Sequence, residues 1–415
     1  MISDAALRRA LPASSVALLG DLIRALLWGL VFILWVAFAQ VYLRMIRLTL
    51  EDPSSSDFTI FYYTARMVGD GLPMYGESPA RYGVTWAADH LGNLNPPHFQ
   101  ILFLPLASLG YGQALLAWVG ISAASLVASL VVIVRELGVT FSLRRLAIWG
   151  AFTIGLAPFT TVAVTSEMTF VLMLPFALMW RAWRRERWTG AGAWLGVLVS
   201  LKLFFGVFAV WLLVTRRFRA LGAMVASGLA LALCGGLVFG HDSYRQWVHS
   251  LGTVGWQWMA MNASWPGFVS RVFESGGKIA PAVFWPAAVA PLSFAGAIVI
   301  LAVTAIQSAR AKSPDAQVLV LLVGAVVASP LGWVYYLPLA YGPILGWMGA
   351  AREWEPLRAL GRSQMAMLAL AAALLYVPQE VANSLQPSAL ATLSLASAYF
   401  YATLLLWLTL LRART

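Results

Sequence analysis

Apolar runs bounded by charged residues, proline or glycine recur along the whole chain. They fall near residues 22–43, 112–134, 146–164, 168–184, 190–201, 203–215, 219–240, 283–306, 316–330, 333–350, 364–380 and 388–411. A full membrane crossing takes roughly 20 residues, so several of these runs are too short to span alone. The 190–215 stretch has arginines at both ends and reads as a short helical hairpin that returns to its starting side. Short, broken spans are tolerated where protein encloses the backbone. The first run, Leu22–Leu43, is long enough to cross and lacks the basic-apolar-small order of a cleaved signal, so it is expected to remain as a transmembrane helix. The pattern predicts an all-α, polytopic membrane protein with about 12 transmembrane helices.

Composition agrees. Of 415 residues 60% are hydrophobic and 11% charged, against about 25% charged in soluble domains. That excludes a soluble enzyme, a disordered chain and a nucleic-acid-binding protein. A single cysteine, Cys234, excludes a disulfide framework and any cysteine-based metal cluster. The net charge of +11 is mostly an orientation signal. With both termini in the cytoplasm, most of the 28 basic residues fall on the inner side, as the positive-inside rule requires. Two enlarged outer loops remain, 44–110 and 241–282. The first has amphipathic stretches at 57–68 and 80–91, and both loops are expected to carry interfacial helices over a cavity.

A few residues in these loops and spans have chemical potential. Asp57 follows Ser54-Ser55-Ser56 at the head of an apolar run; it is either a helix N-cap or a general base whose pKa burial has raised, and the roles can coexist. His98, after Asn95-Pro96-Pro97, is either an idle interfacial histidine or a donor to an anion. Glu167 and Lys202 lie in apolar contexts, where a charge is expensive and functional by default. Lys202 near the outer tip of the hairpin either snorkels to the headgroups or binds a phosphate as a point charge. The segment Asn262-Ala263-Ser264-Trp265 through Arg271 offers a second cation in an outer loop. Ser329-Pro330-Leu331-Gly332-Trp333-Val334-Tyr335-Tyr336 breaks an apolar run and brings aromatic rings that form either an interfacial belt or a platform for a sugar or isoprenoid. No glycine-rich phosphate loop or metal-spaced cluster is present in the sequence.

Taken in order, Asp57-Phe58, Ala65, Gly71-Leu72-Pro73-Met74-Tyr75, Asn95-Pro96-Pro97, Leu201-Lys202, Arg216-Arg217-Phe218-Arg219, Asn262-Ala263-Ser264 before Arg271, and Ser329-Pro330-Leu331-Gly332-Trp333 resemble glycosyltransferase family 87 over roughly residues 55–340. The resemblance implies the GT-C fold and an inverting transfer of a sugar, mannose first, from a polyprenyl-phosphate donor to a lipid-linked or cell-envelope glycan acceptor at the outer face. It implies Asp57 as the base. Lys202, Arg271 and His98 would bind the donor phosphate, and Glu167, Asn262, Trp265, Trp333, Tyr335 and Tyr336 would line the substrate site. With a monophosphate leaving group no metal or other cofactor is expected. Two departures stand out: Ser166-Glu167-Met168-Thr169 replaces a frequent Gly-Gln-x-Asn, and Tyr335-Tyr336 stands where a histidine is frequent.

The expectation is therefore a catalytic transmembrane domain over 1–345 and C-terminal helices over 346–415 completing the bundle. The setting would be a bacterial inner membrane, with the site facing outward, among membrane lipids. The rival is a transporter or lipid-linked-sugar flippase with Glu167 and Lys202 as a coupling pair; the absence of a visible internal repeat weighs against it.

Overall fold

The computed structural model describes residues 13–53, 56–76, 82–84, 92–140, 142–274, 276, 279–349, 357, 360–379, 381 and 386–412. Among these residues the regular structure is helical, with two isolated β-bridges. Five helices are long and apolar enough to cross a membrane: Leu18–Glu51, Tyr111–Leu137, Phe218–Phe239, Pro286–Arg310 and Ala389–Arg412. A sixth crossing arises if Leu146–Ile154 and Ala157–Thr165, bent by 70° at Gly155-Leu156, count as one span. Other apolar runs fold as shorter helices, among them Trp188–Leu201, Leu203–Val214, Pro314–Ala328 and Arg362–Leu375. About 12 is thus a count of apolar segments; among the described residues five, or six with the bent pair, have the length of a span.

The elements that position the site are α1 (Ala13–Glu51), α2 (Asp57–Gly69), α3 (Tyr111–Leu137), α4 (Leu143–Ile154), α5 (Ala157–Thr165), α6 (Thr169–Arg184), α7 (Trp188–Leu201), α8 (Val207–Val214) and α9 (Phe218–Phe239). After them come α10 (Asp242–Leu251), α11 (Trp265–Phe273), α12 (Val289–Arg310), α13 (Pro314–Ala328), α14 (Tyr341–Trp347), α15 (Arg362–Leu375) and α16 (Ala398–Arg412). The break between α4 and α5 has two causes. Pro158 sits in the first turn of α5, where its missing N–H costs nothing. Gly155 lies against α1 so closely that a Cβ would stand 2.1 Å from the Phe38 ring.

The 190–215 hairpin is present. It comprises α7, a 3₁₀ turn over Leu203–Gly206 and α8, with Lys202 at the C-cap of α7. The chain then re-enters through α9, which runs parallel to α7. These two pack backbone to backbone: a Cβ on Gly192 would stand 2.0 Å from the Ala220 carbonyl oxygen, and one on Gly196 would stand 2.2 Å from that of Met224. Small residues at such seams allow the close approach that drives helix association in lipid. At the centre of the bundle α13 is buried along nearly its whole length, and α12 and α16 pack against it.

The outer segments depart from expectation in one respect. A helix does occupy 57–68, but α2 does not lie open on the lipid surface. Eight of its residues are buried, and Phe58 and Phe61 pack among Phe99, Phe103 and Trp118. The 80–91 stretch lies outside the described residues except for 82–84. In the second loop α10 and α11 form.

Overpacking a close backbone contact costs roughly 1–3 kcal/mol. Gly192→Ala is therefore expected to lower the thermal unfolding midpoint of the detergent-solubilised protein. Gly222→Ala in α9, whose Cβ would meet nothing within 4 Å, should leave the midpoint unchanged or raise it, because alanine is the better helix former.

Candidate active site

The site begins at the head of α2. Ser56, in extended conformation, is the N-cap: its hydroxyl accepts from the Phe58 N–H and donates to the Thr165 carbonyl, 2.8 Å away. Capping is thus performed by Ser56, which leaves the Asp57 carboxylate free of that duty at the first helical position. Asp57 is half-buried, and no hydrogen bond or ion pair engages its carboxylate among the described residues. A helix N-terminus favours an anion by less than about 1 kcal/mol at an exposed site. Burial outweighs that here. Desolvation first, and then the charge of Glu167, push the Asp57 carboxyl up from an ordinary 3.8 to about 7, although Lys202 pulls it down.

Glu167 is placed by a strained turn. Ser166 ends α5 with φ +51°, a left-handed conformation that non-glycine residues rarely adopt. The turn is held from two sides, since the Trp118 indole donates to the Ser166 carbonyl at 2.8 Å and Ser56 holds Thr165. Glu167 is 2% exposed. One carboxylate oxygen accepts from the Thr169 hydroxyl, and the other is 2.7 Å from the Lys202 ammonium.

Lys202 ends α7 in extended conformation, where the helix gives way to the 3₁₀ turn. Its ammonium also donates to the Asn95 side-chain carbonyl at 3.3 Å and lies 5.9 Å and 5.8 Å from the Phe99 and Tyr336 ring centroids. Asn95 was missed as a contact residue by sequence reasoning, which read its motif through the two prolines and His98. It is held by Asn93, whose side-chain oxygen accepts from the Asn95 N–H, and by Tyr75, whose hydroxyl donates to the Asn95 carbonyl. The Trp247 indole donates to the neighbouring Leu94 carbonyl, so the second outer loop braces the first.

Trp333, Tyr335 and Tyr336 are buried and in mutual contact; Trp333 stacks on Tyr335, and Tyr336 packs on Phe204 beside Lys202. A two-residue β pairing fixes this segment, with Ala263 N–H donating to Gly332 and Val334 N–H to Met261. Asn262, fully buried, directs its amide to the Gln257 and Pro330 carbonyls and its oxygen to Ser264, so it organises the layer.

Three expected site residues are committed elsewhere. His98 has Nε2 2.9 Å from the Ser200 carbonyl and Nδ1 3.0 Å from the Tyr244 hydroxyl, and burial pushes its pKa down, away from the cation a phosphate ligand needs. Arg271 is 0% exposed; it donates to the Met259 and Asn262 carbonyls and to the Ser397 hydroxyl, clasping α11 to the segment before α16. Trp265 donates to the Leu292 carbonyl and lies flat on Gly296 of α12. These are struts of the outer layer. The structure therefore brings Asp57, Glu167, Lys202, Trp333, Tyr335 and Tyr336 together, while His98, Arg271 and Trp265 bond to neighbouring protein groups, with Arg271 Nη2 left buried and without a partner among the described residues. Among the described residues no group of three His, Cys, Asp or Glu side chains is arranged to hold a metal ion.

Removing one partner of a buried ion pair costs roughly 3–5 kcal/mol. Lys202→Met is expected to destabilise the protein on that scale. The double variant Lys202→Met/Glu167→Gln should recover most of the loss in a thermal-unfolding double-mutant cycle.

The family model for glycosyltransferase family 87 matches residues 93–330, more than half of the chain. Glu167, Lys202 and Asn95 fall inside the match, whereas Asp57 and the Trp333–Tyr336 segment lie outside it. Among curated proteins, the chain is 27% identical over 273 residues to a polyprenol-phosphate-mannose-dependent alpha-(1-2)-phosphatidylinositol pentamannoside mannosyltransferase of Mycobacterium tuberculosis, covering 64% of this chain and 61% of that protein. The protein of the same description in Mycolicibacterium smegmatis is 27% identical over 267 residues, with 61% and 62% covered. A polyprenol-phosphate-mannose-dependent alpha-(1-2)-phosphatidylinositol mannoside mannosyltransferase of Mycobacterium tuberculosis is 28% identical over 350 residues, 78% of each chain. The match thus spans about three-fifths of the first two relatives. No solved structure matches.

Proposed function

The chain belongs to glycosyltransferase family 87, and on that premise we propose that it transfers a sugar from a polyprenyl-phosphate donor to a lipid-linked or envelope-glycan acceptor, with inversion, at the outer face of the membrane. The observation that carries this reading is the Asp57 carboxylate. It is unengaged among the described residues, raised by burial, and coupled electrostatically to the Lys202 ammonium. The relatives' names supply the donor class, polyprenol phosphate mannose, and a phosphatidylinositol mannoside acceptor. Mannose is the first sugar to test.

In the proposed step, the Asp57 carboxylate takes the proton of the acceptor hydroxyl as that oxygen attacks the anomeric carbon. The bond from that carbon to the phosphate oxygen breaks, and the electron pair leaves on the polyprenyl phosphate. Lys202 offsets the charge that develops there. In a low-dielectric site a preformed cation is worth far more than in water, and it costs no reorganisation at the moment of reaction. Lys202 is the cation coupled to Asp57, and it is the residue we assign to the phosphate. Trp333, Tyr335 and Tyr336 supply the wall against which sugar or isoprenoid packs, and no metal is required.

The rival reading of a transporter has less support. The ion pair is held by Thr169 and Asn95 in a fixed frame.

General-base catalysis contributes about 10²–10⁴-fold. Asp57→Asn is expected to lower turnover on that scale while the protein still folds and still binds donor; wild-type turnover in the variant would overturn the assignment. The carboxylate must be ionised to accept a proton, so kcat/KM should fall as pH drops through about 7. Release of free polyprenyl phosphate across a panel of donor sugars identifies the sugar, and vectorial movement without bond cleavage would favour the transporter.

A further inference from the structure

The charges at the site do not sum as a phosphate-binding site requires. Facing one another are the Asp57 carboxylate from the head of α2, the Glu167 carboxylate from the α5–α6 turn, and the Lys202 ammonium from the end of α7. The Tyr335 and Tyr336 hydroxyls face them from the 334–340 segment, and Asn95 contributes a neutral amide. Two carboxylates thus surround a single cation. A donor phosphodiester would add another negative charge. If the site existed only to hold that phosphate, Glu167 would work against it: Glu167 takes the shortest contact Lys202 makes, at 2.7 Å.

Glu167 is also built in with care. A left-handed serine turns it inward, Trp118 and Ser56 hold that turn from outside, and Thr169 orients the carboxylate. Each device fixes an acid in a place where, judged by donor binding alone, an amide would serve better. The arrangement makes sense from the side of the base. An unscreened ammonium near Asp57 would stabilise its ionised form and leave a carboxylate with little affinity for the acceptor's proton.

We propose that Glu167 is the internal counter-anion of the site, a positioning residue that holds Lys202 in place and withholds its charge from Asp57, so that the cation needed by the leaving phosphate does not disarm the base. This rests on the transfer reading above and deepens it. Glu167 weakens donor binding and strengthens proton abstraction. The opposing effects of Glu167 and Lys202 on Asp57 run in the sense this requires.

The test is Glu167→Gln, which keeps shape and removes the charge. Removing a like charge within reach of a carboxylate lowers that carboxylate's pKa by about 1 unit or more. The acidic limb of the kcat/KM profile should move down by that amount. Donor KM should fall several-fold while kcat falls at pH 7, because a weaker base abstracts the proton less well. A role confined to packing would raise KM, lower kcat and leave the limb in place, and that outcome overturns the proposal. Glu167→Asp, which keeps the charge, should restore the wild-type limb.

If Glu167→Gln fails to fold, Glu167→Gln/Lys202→Gln replaces the pair by two amides. Since the two charges oppose one another at Asp57, its limb should stay within about half a unit of wild type, and a larger displacement overturns the proposal. Infrared titration of the protonated Asp57 carboxyl in substrate-free protein, assigned against Asp57→Asn, separates this proposal from the transfer reading. A shifted Asp57 titration without sugar transfer leaves the coupling standing and removes the enzyme. Transfer with an unshifted Asp57 titration does the reverse.

Discussion

Everything at the candidate site depends on the pairing of Lys202 with Glu167. A lone charge in so apolar a setting is unaffordable; a pair survives only with good geometry and with its remaining hydrogen-bonding capacity met. The fold supplies both. Lys202 stands where α7 ends, so its extended backbone can turn the long side chain toward the turn between α5 and α6. Glu167 reaches it because Ser166 accepts a left-handed conformation that the Trp118 indole and the Ser56 hydroxyl keep in place. Asn95 takes a further ammonium proton, which draws the first outer loop over the site. Segments from four distant parts of the chain are thus registered by one ionic contact.

The aromatic surroundings set how strongly those charges act. Phe58, Phe99, Phe103 and Trp118 pack behind α2, and Phe204 and Tyr336 flank the lysine. In such a low-polarity frame, electrostatic effects reach further than they do in water. The same frame explains why Asp57, despite the favourable head of a helix, holds its proton up to near neutrality.

The apolar runs were plainly legible in the sequence, because composition alone decides which segments leave water. Each run corresponds to a helix or a pair of short ones. Their lengths and bends were less legible: the 70° break near Gly155 follows from the approach of Phe38, a contact between segments more than 100 residues apart that no local pattern announces. Among charged residues, scarcity singled out Asp57, Glu167 and Lys202, which the fold does assemble. The same scarcity drew attention to Arg271. Its buried guanidinium donates through Nε and Nη1 to Ser397 and to the Met259 and Asn262 carbonyls, contacts that no local pattern announces, while Nη2 keeps no partner among the described residues. Asn95 shows the opposite failure: a neutral amide carries no signal of rarity, and its role depends on a lysine 107 positions away.

The shortness of α7 sets a depth. Its 14 residues rise about 21 Å, whereas the hydrocarbon layer is about 30 Å thick. If the arginine-rich turn before Trp188 lies in one headgroup layer, an upright α7 ends at the Lys202 backbone short of the opposite layer by about two helical turns. On the transfer reading, a donor phosphate at Lys202 would then sit below the usual headgroup level. Either the headgroup is drawn down into the protein or the bilayer dimples over the bundle, and a leaflet yields to such mismatch at a cost that rises with its thickness. The acyl-chain length of the surrounding lipids thereby becomes a variable in how readily the site fills.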